Sequence, residues 1–462
     1  MKTVICLAAG KGSKLWPFAE IRPKAMIPVA AKPVIAHQVD MLKELGFEKI
    51  IIVGGHMHEQ IRNYFRHQAE IVVVVDEKQR GTANSLNAAR HLVEEEDFLV
   101  LYGDTVLDKS DVQALMTRFE QADPNDGKQA AVLVNPLQDE ASSDWICCTL
   151  AERRVQQIMG HPRRGGYTHR FSAFAFPSAF WQYVGTNSGL FTNVQVGVMP
   201  ELEAHLEMSL CDGLNDGYVI HAVETQGYYI DIDKPWHILM ANEAIARSRC
   251  ARLSGHVLAE GASIDPSASL NGFVQLGFGS SIGRNVIIEG HVIVGNHTRI
   301  ENGAILQGDH IIGDHTYIGN YCFLSKGTTV GDSCVINHCA ELEGVIFNTV
   351  HLYHYMEFYG VIGTATDLGA ATVCGTLRFD DGHTTHRIKG RRETPRDHSN
   401  ATYLGDFVRT GVNAILMPGV KVGVYSVVGP GVILEEDVPN RTLLFVKQEL
   451  VRKEWGPSKY GW

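Results

Sequence analysis

Positive charge is in short supply. Lysine and arginine number 41 against 52 aspartates and glutamates in 462 residues, a net charge of −11, and the cations are scattered. That balance excludes the basic face on which nonspecific nucleic-acid binding depends. Long apolar runs are missing too. None reaches the roughly 18 residues of a membrane-spanning helix. The run at the N-terminus, Thr3 to Ala9, is too short for the apolar region of a signal peptide plus its cleavage site. The nine cysteines form no Cys-x-x-Cys pair and no even framework, which fits buried or surface thiols in a reducing compartment. No convincing Ser-His-Asp or Cys-His set stands out. The expectation is a soluble cytoplasmic protein with no nucleic-acid and no membrane partner, too long for one ordinary core and suited to two domains.

Against these absences one stretch is dense with signal: Leu7-Ala8-Ala9-Gly10-Lys11-Gly12-Ser13-Lys14-Leu15-Trp16-Pro17. It follows Val4-Ile5-Cys6, which reads as a buried parallel strand feeding a turn. Gly10 and Gly12 can take positive φ and, lacking Cβ, let the backbone approach a ligand closely. Successive amide N–H groups in such a turn make a concave anion site, and Lys11, Lys14 and Lys24 add cationic side chains. The loop lacks the third glycine of the dinucleotide fingerprint and the Gly-Lys-Ser/Thr of a Walker A loop. Downstream, a helix from Val34 to Leu45, a strand from Lys49 to Val53, a helix from His58 to Arg66 and a strand from Ile71 to Val75 alternate. The alternation predicts a doubly wound parallel sheet, with ligands at the carboxyl ends of its strands. Gly81-Thr82 then opens a helix as a good N-cap. Phe98 to Tyr102 is a strand ended by Gly103-Asp104, which delivers a hard oxygen ligand suited to Mg²⁺ bridging phosphates.

The opening loop, continued by Arg22-Pro23-Lys24-Ala25-Met26-Ile27-Pro28-Val29 and Lys32-Pro33, resembles the signature of sugar-1-phosphate nucleotidylyltransferases: L-A-A-G-x-G-x-R-L-x-P, then P-K-x-x-x-P-V, then K-P. The resemblance implies attack of a sugar 1-phosphate oxygen on the α-phosphorus of an NTP, giving an NDP-sugar and pyrophosphate. It assigns the nucleotide to Leu7, Ala8, Ala9, Gly10, Gly12, Gln79, Gly81 and Thr82, the last three touching nucleobase and sugar. Lys14 and Lys24 become the catalytic cations, Lys14 on the pyrophosphate side and Lys24 between the two reacting phosphates. Asp104 and Asp231 become the Mg²⁺ ligands, with Asp233 a weaker candidate or a cap for the helix from Trp236 to Ile245. The nucleophile is already anionic at neutral pH, so no general base is needed; the protein must align two anions and neutralise the leaving group.

The chain departs from that pattern in three places. Lys14 stands where arginine is usual, keeping the charge without the bidentate fork. Gly160-His161-Pro162-Arg163-Arg164 stands at the sugar-binding E-K-P segment, and Phe171-Ser172-Ala173 at N-A-G. Either the acceptor is unusual, with Arg163 or Arg164 taking its phosphate, or the domain is degenerate and binds sugar nucleotides as a regulator.

From Ile264 to Leu342 an aliphatic residue recurs at every sixth position, often before glycine, as in Ile282-Gly283 and Ile312-Gly313; the period resumes at Leu416, Val422, Val428 and Leu434. A hexapeptide period marks a parallel β-helix with the aliphatic residue inward. The interruption at about 348–402 is expected to be a loop inserted on one face. This half resembles that of the bifunctional N-acetylglucosamine-1-phosphate uridylyltransferase/acetyltransferases. The resemblance implies a left-handed helix, a homotrimer or a multiple of it, and acetylation of an amino-sugar phosphate by acetyl-CoA as a second activity. Its candidate residues are His354 as general base, Tyr359 and Lys389. At the family's His-x-x-Tyr spacing His354 is followed by Glu357, and Thr376 replaces the asparagine before L-R-F-D. The fold expected of the whole is α/β: a doubly wound, mostly parallel nucleotidyltransferase sheet over residues 1–245, then a hexapeptide-repeat left-handed parallel β-helix over 246–462. The aromatic C-terminus from Trp455 onward has no functional reading in the sequence.

Overall fold

The computed structural model describes residues 1–93, 95–121, 128–137, 142–163, 165–190 and 202–460. Strand β1 (Thr3–Ala8) is buried along its whole length, as its unbroken apolar sequence requires of a strand covered on both faces. Around it alternate α1 (Val34–Glu44), β2 (Lys49–Gly54), α2 (His58–Phe65), β3 (Ile71–Val75), α3 (Thr82–Ala88) and β4 (Phe98–Tyr102). These four strands are mutually parallel, so their carboxyl ends open on one rim. Then follow β5 (Thr105–Leu107), α4 (Lys109–Glu120), β6 (Gln129–Pro136), β7 (Ile146–Ala151), β8 (Arg154–Gly160), β9 (His169–Phe176), α5 (Leu206–Asn215), β10 (Val219–Glu224), β11 (Tyr229–Asp231) and α6 (Pro235–Cys250). The nine-stranded sheet has the order β3-β2-β1-β4-β9-β6-β10-β8-β7. Because β9 runs antiparallel to both β4 and β6, the sheet is parallel where the glycine loop leaves it and mixed beyond. A separate antiparallel ribbon, β5 with β11, sets Asp231 opposite Thr105.

The second half is a parallel β-helix. Ile264 stacks on Ile282, Ile282 on Ile300 and Ile300 on Ile318, one coil every 18 residues. The inward aliphatic residues, Ile282, Ile288, Val294, Ile300 and Leu306 among them, form one continuous core, each worth about 1.5–3 kcal/mol of apolar burial. The corners place Asn285, His297, His315, Tyr321 and Ser333 at φ between 53° and 57°. That left-handed conformation costs a non-glycine residue about 1–2 kcal/mol, which the burial of the coil offsets.

The interruption expected at 348–402 is shorter in the structure. Stacking continues from Ile336 to Leu352, from Leu352 to Leu368 and from Leu342 to Phe358. What ends the six-residue period is a lost corner. Two steps that are separate at Phe323–Leu324 and Thr329–Val330 fuse into one strand, Glu341–Ile346, and again in the next coil into Glu357–Ile362. The coil closes in 16 residues, so the inward positions slip while the helix continues. The insertion itself falls between Val373–Cys374 and Thr402–Leu404 and carries a hairpin, His386–Ile388 against Arg391–Glu393.

The two halves share one core. Leu15, Phe18 and Val34 pack with Trp236, Ile238 and Leu239 of α6 and with Ile311, Val345, Phe347, Val361 and Tyr403 of the β-helix. Helix α6 runs past residue 245 to Cys250 and serves both halves. Among the described residues no helix is long and apolar enough to cross a membrane.

Candidate active site

The glycine loop leaves β1 at the rim. Gly12 is left-handed at φ 65°, and the turn after it is closed by Leu15 N donating to Gly12 O at 2.9 Å. Gly10 does not use that freedom: its φ is not positive. A Cβ at Gly10 would meet no atom of the described residues within 4 Å, so glycine there keeps open the space outside the backbone instead of permitting the turn. That space belongs to a cleft of about 670 Å³ lined by Leu7, Ala9, Gly10, Lys11, Gln79, Gly81, Thr82, Tyr102, Asp104, Glu203 and His205 among others. Gly103 N donates to Leu7 O at 2.8 Å, fixing the Asp104 turn to β1.

A residue that sequence reasoning passed over organises the Gln79 segment. Asp76 is 3% exposed and follows β3 directly. Its Oδ1 accepts from Lys78 N, Gln79 N and Asn84 Nδ2 at 3.0–3.1 Å, and its Oδ2 from Ser85 Oγ at 2.6 Å. The available signal was a carboxylate ending an apolar strand at the ligand rim. Gly81 has φ 95°, and a Cβ there would lie 2.3 Å from Ala204 O. The chain passes that close because Ala204 N donates to Arg80 O at 2.8 Å and Ala83 N to Ala204 O at 2.9 Å. Thr82 does not cap its own helix, whose cap residue is Gly81; its hydroxyl accepts from Leu206 N at 2.9 Å and holds the start of α5.

Asp104 leaves β4 as Asp231 arrives on the ribbon, and Ile232 N donates to Asp104 O at 3.1 Å. The Lys24 ammonium lies between the two carboxylates, 2.6 Å from Asp104 and 3.0 Å from Asp231, with Asp233 at 3.9 Å. Lys14 reaches Asp233 at 2.9 Å. Asp233 therefore joins this cluster and does not cap α6, which begins after Lys234 with no side-chain cap. Burial alone would pull the Lys24 ammonium down, but Asp104, Asp231 and Asp233 outweigh it and hold the group charged. Burial raises the Asp104 carboxyl against the pull of Lys24, and the like charge of Asp231 adds to the rise. Burial also acts to raise Asp233, yet Lys24 and Lys14 hold it below the usual carboxylate range. Side-chain exposure is 24% for Asp104 and 23% for Asp231 against 11% for Lys24. Two hard carboxylates about a quarter exposed to solvent fit the donor set Mg²⁺ takes when it keeps waters and shares substrate phosphates. Among the described residues no group of three or more His, Cys, Asp or Glu is placed to hold a metal ion.

Asp231 also lines a second cleft, of about 640 Å³, with Asn135, Asp144, Trp145, Arg170, Tyr229, Lys234, Trp236 and His237, and with Pro395, Arg396 and Asp397 of the insertion. His237 is lowered to about 4 by burial and stays neutral. Lys234 is bound by Asp144 at 3.3 Å and by Glu393 at 2.6 Å, which latches the insertion hairpin to the cleft wall. Arg163 is exposed and Arg164 lies outside the described residues. Lys234 and Arg170 are both buried in this cleft, Arg170 over Trp145 at 3.9 Å and Tyr229 at 5.0 Å.

Among the described residues, His354, Tyr359 and Lys389 make no hydrogen bond or ring contact with one another. His354 stacks on His338 at 5.0 Å and meets Tyr355 edge-on. Tyr359 turns to His398 Nδ1 at 2.9 Å. Lys389 is exposed in the turn of the insertion hairpin.

A glycine loop on the parallel rim, clefts meeting at carboxylates and lysine, and a β-helix docked behind define a nucleotidyltransferase-type domain joined to a hexapeptide-repeat partner. Residues 4–172 match the MobA-like NTP transferase domain. Over 97% of its length the chain is 30% identical to the bifunctional protein GlmU of Methanococcus maripaludis strain S2, covering 98% of that protein. Identity is 31% at the same coverages to the protein of that name from strain C7. It is 26% to the bifunctional sugar-1-phosphate nucleotidylyltransferase/acetyltransferase of Sulfurisphaera tokodaii, over 95% of this chain and 98% of the relative. The chain belongs to the GlmU family of bifunctional proteins.

Proposed function

We propose that the chain couples an NTP and a sugar 1-phosphate to give an NDP-sugar and pyrophosphate. The observation that carries this is the meeting of two clefts at one charged corner, Asp104 facing one, Asp231 the other, with Lys24 between them. The nucleotide occupies the cleft lined by Leu7, Ala9, Gly10, Gln79, Gly81 and Thr82, with Ala8 and Gly12 in the loop behind it, its phosphates along the loop amides and Lys11. The acceptor enters from the Asp231 side. Its phosphate oxygen forms the new bond to the α-phosphorus as the bond to pyrophosphate breaks, and pyrophosphate leaves with the electron pair. That oxygen is anionic beforehand, so neutral His237 has no proton to take; the work is alignment and charge compensation. Lys24 donates to the phosphoryl group in transfer, and Lys14 to the departing pyrophosphate. Asp104 and Asp231 would hold Mg²⁺, which supplies neutralisation of phosphate charge when bound.

The test is pyrophosphate release by purified protein with Mg²⁺, screened over the common triphosphates against a panel of sugar 1-phosphates. At least one pair should react, and Asp104→Asn or Lys24→Met should lower kcat by about 10²–10³-fold with the circular dichroism spectrum unchanged. No release for any pair overturns the reading in favour of a regulatory sugar-nucleotide-binding protein.

Acetyl transfer from acetyl-CoA in the β-helix is the second reading, favoured by full-length relatives that are named as bifunctional. With His354, Tyr359 and Lys389 out of contact with one another in one protomer, that site would be built between subunits of a homotrimer. Acetyl-CoA consumption with glucosamine 1-phosphate tests it, and the absence of consumption removes it.

A further inference from the structure

A separate pocket of about 270 Å³ lies between α1, β5 and the end of α6, with Gln38, Met41, Val106, Ile245, Arg249 and Arg252 among its walls. Its lining residues are distinct from those of either substrate cleft, yet one of them holds the turn that carries Asp104. Gln38 is 2% exposed. Its Nε2 donates to Tyr102 O at 2.7 Å and to Thr105 O at 2.6 Å, the two carbonyls that bracket Gly103-Asp104. Every partner of Nε2 is an oxygen, which fixes the orientation of the amide and turns Oε1 the other way. That Oε1 is buried and has no hydrogen-bond partner among the described residues. Native proteins rarely leave a buried acceptor unmet, and a donor brought in by a ligand would satisfy it.

The charges of the pocket are unevenly matched. Lys109, Arg249 and Arg252 face the carboxylates of Asp40 and Glu44. Glu44 is shared by Lys109 at 3.0 Å and Arg252 at 3.7 Å, and Asp40 is paired with Lys32. Arg249, in the last turn of α6, makes no ion pair or hydrogen bond among the described residues. Burial lowers its guanidinium against the pull of Asp40, and the like charge of Arg252 adds to the fall. His37 adds no charge: burial lowers it to about 4, and its Nε2 lies 2.9 Å from Val29 O.

We infer that this pocket binds a compact oxyanion that also carries a hydroxyl or amino group, the anion on Arg249 and the donor on Gln38 Oε1. A volume below the about 300–1,000 Å³ of drug-sized sites sets its size. Because Gln38 also holds the carbonyls on either side of Asp104, occupancy is felt in the nucleotide cleft, and the two ligands change each other's affinity by the same factor. That coupling rests on the nucleotidyl-transfer reading; the binding does not. Phosphate and carboxylate present the same oxyanion chemistry, and the experiment separates them.

The full chain is titrated by calorimetry with glycerol 3-phosphate and with malate, and the affinity for the common triphosphates with Mg²⁺ is measured with and without each. Wild type should bind at least one of the two saturably, and the one preferred assigns phosphate or carboxylate. Arg249→Gln should weaken that binding by about 10- to 150-fold, the worth of a charge-assisted pair, with pyrophosphate release retained. Lys24→Met should bind as wild type does, which separates this pocket from anion binding at the charged corner. Ser248→Glu sets a carboxylate in the same pocket; it should block binding, and it decides the matter if Arg249→Gln does not fold. The bound anion should shift NTP affinity at least about fivefold in wild type and not in Arg249→Gln. The inference is overturned if neither anion binds, if both pocket variants bind as wild type does, or if NTP affinity is the same with the pocket filled. Coupled binding of anion and NTP by a protein that releases no pyrophosphate would sink the transfer reading alone.

Discussion

Cutting the buried ion pair between Arg22 and Asp406 should cost both stability and nucleotide affinity. Arg22 lies two residues before Lys24, in the loop that also carries Lys14. Its Nη2 is 2.5 Å from Asp406 Oδ1, with side-chain exposures of 9% and 0%. The guanidinium also donates to Thr364 Oγ1 at 3.2 Å and Phe18 O at 3.4 Å, and it lies over the Phe347 ring. Asp406 Oδ1 accepts from Thr364 N at 2.7 Å, while its Oδ2 is buried with no hydrogen-bond partner among the described residues. Asp406 thus has little besides Arg22 to compensate its charge. Removing one side of a buried pair costs about 3–5 kcal/mol, against about 0–1 kcal/mol for a surface pair. Arg22→Met should lose that much in guanidinium denaturation. Arg22→Met/Asp406→Leu should regain most of it, because the orphaned charge disappears with its partner. In steady-state assays the single variants should raise the KM for NTP, since the loop that carries Lys14 and Lys24 loses its anchor. The reasoning fails if Arg22→Met costs under about 1 kcal/mol, or if the double variant loses the sum of the singles, which would mean no coupling.

Gly10→Ala should leave thermal stability within about 0.5 kcal/mol of wild type, because its Cβ meets no atom of the described residues, yet raise the KM for NTP. Gly81→Ala should instead cost about 1–3 kcal/mol in denaturation, because its φ is 95° and its Cβ would sit on Ala204 O. His37, His237 and His310 are each lowered by burial from 6.5 to about 4. The folded state then binds fewer protons than the unfolded one between those values. Stability present in full above pH 6.5 should fall toward pH 4 by about 1.4 kcal/mol per pH unit for each histidine. His310→Asn, which keeps a donor toward Thr328 O, should remove one such increment from a denaturation series in pH; an unchanged slope refutes the assignment. Glu393→Gln should loosen the insertion hairpin from Lys234 and raise the acceptor KM by about 3- to 10-fold with the NTP KM unchanged.

What was legible in the sequence is what a local pattern encodes. The apolar run ending at Gly10, the alternation through α1–β4 and the aspartate after β4 each follow from neighbours a few residues apart. The six-residue period of the β-helix is equally local, and it failed as a guide where a corner was deleted. Glu341–Ile346 and Glu357–Ile362 place inward residues four apart instead of six, so a period-based reading stops at 348 although the coil does not. The cap role offered for Asp233 was wrong for a different reason: its partner, Lys14, stands 219 residues earlier, and no spacing rule connects them.

The same distinction explains why the junction between the halves left no trace in the sequence. Trp16 Nε1 donates to Asn440 Oδ1 at 2.9 Å, Phe18 packs on Phe347 and Tyr403, and Arg22 meets Asp406; all three sit between Lys14 and Lys24 or beside them. In the cleft that Asp231 lines, Glu393 holds Lys234. Both clefts that meet at the charged corner therefore rest on residues contributed by the second half of the chain. A lysine between two carboxylates is useful only if its approach is fixed to a fraction of an ångström, and a loop as short as 12–24 has no core of its own to fix it. The tryptophan, phenylalanine and arginine interleaved with its lysines supply that core by docking on the coil. The loop's signature is therefore a record of two demands at once: its glycines and lysines answer to phosphate, and its bulky residues answer to the β-helix beneath.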